Sequence, residues 1–239
     1  MHVTTVNVAD PIALEERIEI ANPQHPHCAT VLLLDTSASM AGDKIRQLNE
    51  GLRFFKDDVM SDDLARKRVE VAVVTFGGTV QIAHDFTGID TFDPAPARAD
   101  GGTPMGEAIL RGIELLRDRK QGFKQAGVDY YRPWIFLITD GEPTDVGPGD
   151  PMWNRVVRAV HAGDAAGEFV FFAVGVEPAD MDVLAMIAPG GRPPMRLRPG
   201  RFKELFAWLS ASQRRVSASR VGEQLALPAP SGWAQIGTG

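Results

Sequence analysis

The sequence predicts a three-layer, doubly wound α/β domain with a mainly parallel sheet and one antiparallel edge strand. Three observations carry that expectation. Short apolar runs recur at residues 29–34 (ATVLLL), 134–139 (WIFLIT) and 169–174 (FVFFAV), as strands buried on both faces require. Between them lie segments with apolar residues every three or four positions, the period of a helix with one buried face. Strands alternating with helices imply a parallel sheet covered on both sides.

Taken in order, residues 29–34 form the first strand. Residues 43–59 follow as a helix, with Ile45, Leu48, Leu52, Phe55 and Val59 on its buried face. Residues 69–76 (VEVAVVTF) are rich in β-branched side chains and read as a strand. Gly77-Gly78 then joins it to residues 79–84 (TVQIAH), which makes a hairpin and places the second strand antiparallel at the edge. Residues 104–119 are helical, with Ile109, Ile113 and Leu116 inward. Further helices are expected at 151–166, 180–187 and 202–214, and a terminal strand at 195–197. The tail from 227 to 239 holds Pro228, Pro230 and several glycines and is expected to lack regular structure. The resulting organisation is an N-terminal extension (1–28), one domain (29–220) and an irregular C-terminal tail (221–239).

The chain has 239 residues, 44% of them hydrophobic, enough for one full core. The net charge of -6 and the absence of a long basic block argue against nucleic-acid binding. Arg66-Lys67-Arg68 reads as a solvated helix end. No apolar run approaches a membrane span. A single cysteine, Cys28, and no basic-then-apolar leader in residues 1–10 set the expectation of a cytoplasmic protein.

Two of the buried runs end in an aspartate, Asp35 and Asp140. In a parallel sheet both carboxylates stand at the same edge. If the two strands flank the point where strand order reverses, they meet in one crevice, where open α/β sheets bind ligands. After Asp35, an extended Thr36-Ser37-Ala38-Ser39 would turn Ser37 and Ser39 to the same side. Thr103 stands just before a helix that Pro104 is suited to begin. Asp35, Ser37, Ser39, Thr103 and Asp140 then offer an all-oxygen shell, which suits Mg²⁺, Mn²⁺ or Ca²⁺ rather than zinc or copper. Each residue singly also reads as a helix cap or a turn; the conjunction of three segments at strand and helix ends favours the metal. His25 and His27 read as ordinary loop residues. Glu142, Asp145 and Asp150 read as a solvated acidic rim, and Tyr130, Tyr131 and Trp134 as packing at a strand entrance.

Asp35-Thr36-Ser37-Ala38-Ser39, Gly102-Thr103-Pro104 and Thr139-Asp140-Gly141 resemble the metal-ion-dependent adhesion site of von Willebrand factor A domains. The resemblance spans residues 29–214. It implies a metal-dependent protein-interaction module that takes a partner's Asp or Glu carboxylate as the ion's last ligand. Residues 49–52 (NEGL), 101–108 (GGTPMGEA), 131–134 (YRPW), 139–145 (TDGEPTD) and 225–233 (LALPAPSGW) are similar to the bacterial TerY/YegL group. That narrower likeness implies a tellurium-resistance or stress-signalling setting, with a Ser/Thr kinase and a PP2C-type phosphatase as partners.

Two other classes compete with this reading. A metal-dependent phosphoesterase or hydrolase would need an acid–base group, yet Ser37 stands where a haloacid-dehalogenase-type phosphatase carries its second aspartate. The sequence has neither a phosphate-binding loop nor a nucleophile elbow. The regulatory subunit of an ATPase chaperone complex would need its motor on another chain. The expectation is therefore a binding module, not an enzyme.

Overall fold

A computed structural model describes residues 20–236. Its elements run β1 (Cys28–Asp35), α1 (Asp43–Met60), α2 (Ala65–Arg68), β2 (Val69–Gly77), β3 (Thr79–Gly88), α3 (Met105–Ala126), β4 (Trp134–Thr139), α4 (Pro151–Ala165), β5 (Val170–Val176), α5 (Met181–Ile187), β6 (Met195–Leu197), α6 (Phe202–Ser217) and β7 (Ala234–Ile236). All seven strands join one sheet in the order β3-β2-β1-β4-β5-β6-β7. The pairs from β2 through β6 are parallel, and β3 and β7 close the two edges antiparallel.

Every residue of β1 and β4 is buried, which is why both read as unbroken apolar runs. The two-residue strand period divides their side chains between two cores. Leu32 and Leu34 of β1 face α1 and α6, where Phe55 and Phe206 lie, while Val31 and Leu33 face α3, α4 and α5. The three layers follow directly. No helix among the described residues is long and apolar enough to cross a membrane.

Helix ends carry their own signals. Asp150 accepts from Met152 N at 2.7 Å and Pro151 opens α4, a capped start. Asp180 caps α5 in the same way. Gly127 ends α3 at φ 65°, the left-handed conformation that favours glycine.

Four expectations are corrected. The C-terminal tail is not wholly irregular, because β7 pairs with β6 and displaces it from the sheet edge. The strand was hidden by its length of three residues among prolines and glycines. His27 is no loop residue: it is buried, with Nδ1 2.8 Å from Glu70 Oε1, and its ring stacks on Phe123. Arg68 is not simply solvated, since it donates to Tyr131 Oη at 3.1 Å and to the Ser217 carbonyl, tying α2 to the end of α6. Pro104 precedes α3 instead of opening it. Most of the expected N-terminal extension lies outside the described residues.

Candidate metal centre

Strand order reverses between β1 and β4, so the crevice opens where their carboxyl ends meet. Asp35 ends β1 and Asp140 directly follows β4, both essentially inaccessible to solvent. Three loops converge there and are stitched together through their backbones. Thr36 N donates to Phe76 O, Ala38 N to Gly101 O, Asp100 N to Thr36 O, and Gly78 N to Gly102 O, at 2.8–3.1 Å. This closeness demands glycine at position 77, where a Cβ would stand 2.1 Å from Thr36 O.

Ser37 is extended, at φ -65° and ψ 165°, but the chain does not stay so. Ala38–Met40 forms a turn of 3₁₀ helix, so alternation along a strand does not bring the serines together. The tight turn does it instead: Ser37 Oγ and Ser39 Oγ lie 2.9 Å apart. Ser39 Oγ donates to Asp140 Oδ1 at 2.6 Å, which links the first loop to the second aspartate. Asp35 accepts from Ser37 N at 2.8 Å and from Thr139 Oγ1 at 2.5 Å. Thr103 is buried and faces the same point, since a Cβ at Gly141 would fall 3.3 Å from Thr103 Oγ1 and 4.0 Å from Asp35 Oδ2. All five residues singled out by the sequence therefore gather at one place.

Several residues that hold this arrangement were not among those five. Thr144 accepts from Thr103 N through its hydroxyl and donates its own N–H to Thr103 O, both at 2.9 Å. Asp145 is no idle rim residue: it accepts from Gly106 N at 3.1 Å and Glu107 N at 2.8 Å, capping α3 from another loop. Its function was hidden because an N-cap is sought just before its helix, not 38 residues downstream. Asp150 is likewise a cap, whereas Glu142 is exposed. Lys44, in the first turn of α1, places Nζ on Asp140 Oδ2 and donates to Ser39 O at 3.2 Å. No spacing rule pointed to it.

The electrostatics suit a cation. Burial pushes the Asp35 carboxyl above its ordinary value and the nearby Asp140 charge adds to this, while hydrogen bonds from Ser37 and Thr139 oppose it. Two carboxylates and three hydroxyls make a hard, all-oxygen donor set. Adjacent oxygens in an octahedral magnesium shell stand about 3.0 Å apart for metal–oxygen bonds of roughly 2.1 Å, and the Ser37–Ser39 separation matches this. An ammonium group already rests against one of the carboxylates. Among the described residues no group of three or more His, Cys, Asp or Glu is placed to hold a metal ion.

The profile of the von Willebrand factor type A domain matches residues 30–206. The chain belongs to that family. The family's metal-ion-dependent adhesion-site motif binds a divalent cation and mediates protein–protein contact. Human inter-alpha-trypsin inhibitor heavy chain H4 is 30% identical over 159 residues, covering 61% of this chain and 15% of that protein. The chain thus spans about one sixth of the length of such relatives. Among solved structures, the pilus adhesin SpaC from Lactobacillus rhamnosus GG is similar at a TM-score of 0.60 and 14% identity, over 80% of this chain and 30% of that one. Proximal thread matrix protein 1 from the mussel byssus, solved with a zinc-occupied adhesion-site motif, is similar at 0.52 and 20% identity, over 79% and 48%. At these identities the structures establish the von Willebrand A fold and no more.

Proposed function

We propose that this protein is a metal-dependent adaptor. Asp35, Ser37, Ser39, Thr103 and Asp140 hold one divalent cation, and a partner protein supplies an Asp or Glu carboxylate as a further ligand. The observation that carries the proposal is the hydrogen-bonded chain across the switch point, from Asp35 through the Ser37 N–H and on through the Ser37 and Ser39 hydroxyls to Asp140. When bound, the ion supplies a Lewis-acidic centre for an anionic oxygen, because three of the five protein donors are neutral hydroxyls. Thr139, Thr144 and the loop-to-loop backbone bonds keep those donors fixed, which lowers the ordering cost of binding. Mg²⁺ is the proposed ion, with Mn²⁺ and Ca²⁺ compatible. The mussel protein with zinc at its motif shows that this fold also admits zinc, so hardness of the donors does not exclude it.

The proposed reading is binding, not turnover. His84 packs edge-on against Phe92, His161 is exposed on α4, and His27 is engaged with Glu70, so none of these stands as a general base beside the carboxylates. The proposed setting is a bacterial cytoplasmic stress-signalling system with a Ser/Thr kinase and a PP2C-type phosphatase. Its support is the likeness of residues 101–108 and 139–145 to the tellurium-resistance-associated group.

The test joins calorimetry to partner capture. Titration with Mg²⁺, Mn²⁺, Ca²⁺ and Zn²⁺ is expected to show one site, weakened about tenfold or more by Ser37→Ala, since one lost charge-assisted contact is worth roughly 1.5–3 kcal/mol. Immobilised protein in Mg²⁺ is expected to release its partners on chelation, and Asp35→Ala to capture none of them. A kinase or PP2C-type phosphatase in the eluate would support the narrower setting. Partners retained equally in excess chelator would overturn the adaptor reading.

A further inference from the structure

Asp140 is fully buried, yet its carboxylate has a protein cation in direct contact. Lys44 Nζ sits on Asp140 Oδ2 and also donates to the Ser39 carbonyl at 3.2 Å. Both contacts belong to residues of the oxygen cluster. An ammonium and a divalent cation are drawn to the same buried oxygens by the same Coulomb term, and two cations cannot share them without strong repulsion. Lys44 also has somewhere to go. It lines a cavity of about 250 Å³ together with Gln47, Glu177 and Arg198. Glu177 is exposed, forms no ion pair among the described residues and lines the same cavity, so it offers a second carboxylate there. The Lys44 side chain is 30% exposed, free enough to turn between the two.

We infer that Lys44 is the resident counter-cation of the metal site, competing with the divalent ion for Asp140 and moving toward the Glu177 cavity when the ion enters. This rests on the metal-site reading above and adds how the site is regulated. The ammonium offsets the charge of the Asp140 carboxylate beside Asp35, and displacing it costs part of the ion's binding energy. The device lowers affinity and so confines occupancy to conditions of high metal concentration. It also leaves a mobile positive charge at the rim whenever the ion is bound.

The experiment compares wild type with Lys44→Met, which keeps the stem and removes the charge, and Lys44→Arg, which keeps the charge. Mg²⁺ and Mn²⁺ affinities are measured by calorimetry, and thermal midpoints in chelator and in saturating Mg²⁺. Lys44→Met is expected to bind Mg²⁺ ~10-fold more tightly, in line with removal of a contacting like charge in a partly screened site. Its midpoint is expected to fall in chelator and to rejoin wild type in Mg²⁺. Lys44→Arg is expected to stay within about threefold of wild type, because charge and not shape is what competes. Equal or weaker binding by Lys44→Met, or equal tightening by Lys44→Arg, would overturn the inference and leave the metal site standing. Absence of binding by wild type and Lys44→Met alike would overturn the metal-site reading itself.

Discussion

Glu70 stands at the opposite end of the sheet from the candidate metal centre, and it shows how a single residue ties stability to pH. Its carboxylate is 1% exposed, yet it receives two bonds from Arg119 at 2.7 Å each and has His27 Nδ1 at 2.8 Å. Burial by itself raises its pKa, but the hydrogen bonds and charges of His27 and Arg119 outweigh that and hold it below the ordinary 4.5. A carboxylate whose pKa is lower folded than unfolded contributes stability that is present above the unfolded value. That stability is lost as pH falls through the folded one. Urea unfolding is therefore expected to lose free energy below about pH 4.5, and Glu70→Gln to flatten that acid limb. At neutral pH the same substitution removes the carboxylate from a buried ion pair with Arg119 and is expected to destabilise by up to about 3–5 kcal/mol. An acid limb identical in the variant would place the lost stability elsewhere. The sequence left this cluster unread because its three members lie far apart along the chain and meet only through packing. The clustering of the candidate metal residues was legible for the opposite reason: each sits near the end of a strand or helix, and the ends of parallel strands share one side.

At the level of elements, the fully buried strands and the amphipathic faces of α1 and α6 could be read from apolar period alone, and β7 could not. Three residues show no period, and Ala234–Ile236 gains its place from Trp233, whose ring packs 5.5 Å from that of Trp208. Period also says nothing about how closely two helices approach. Here α1 presents Gly51 to Phe206 of α6, and a Cβ at Gly51 would come within 2.2 Å of that ring. Gly51→Ala should gain roughly 1 kcal/mol of helix propensity but forces a fully buried phenylalanine to shift. Overpacking of this kind costs about 1–3 kcal/mol, so the net expectation is destabilisation by about 1 kcal/mol in urea unfolding. Adding Phe206→Leu should relieve the clash and make Gly51→Ala neutral or stabilising in that background. If Gly51→Ala alone raises stability, the two helices are not held this tightly. The close packing matters to the site because α1 begins with the Lys44 turn and is positioned by this contact.

For the whole molecule, the sheet order separates two tasks. The oxygen cluster lies between β1 and β4, whereas the tail closes the far edge three strands beyond β4. Three strand spacings of about 4.8 Å put the tail's strand roughly 14 Å from β4. Between them stand β5 and β6, held by their own ladders and by the aromatic cluster of Trp134, Phe136, Phe172 and Trp208. Trp233 covers that cluster at 3% exposure, and Trp208 Nε1 donates to Pro228 O at 2.7 Å, so the tail is sealed onto the core at two points. Trp233→Ala is expected to cost about 3 kcal/mol, the lower end for a buried tryptophan because the site lies at the edge and can partly collapse. Metal affinity should stay within about twofold of wild type, since effects at sites this far apart are nearly additive. The two quantities are read on the same sample by urea unfolding in chelator and by Mg²⁺ calorimetry. A large loss of affinity alongside the loss of stability would mean that the edge and the crevice move together. The tail would then belong to the metal site's working parts as well as to its scaffold.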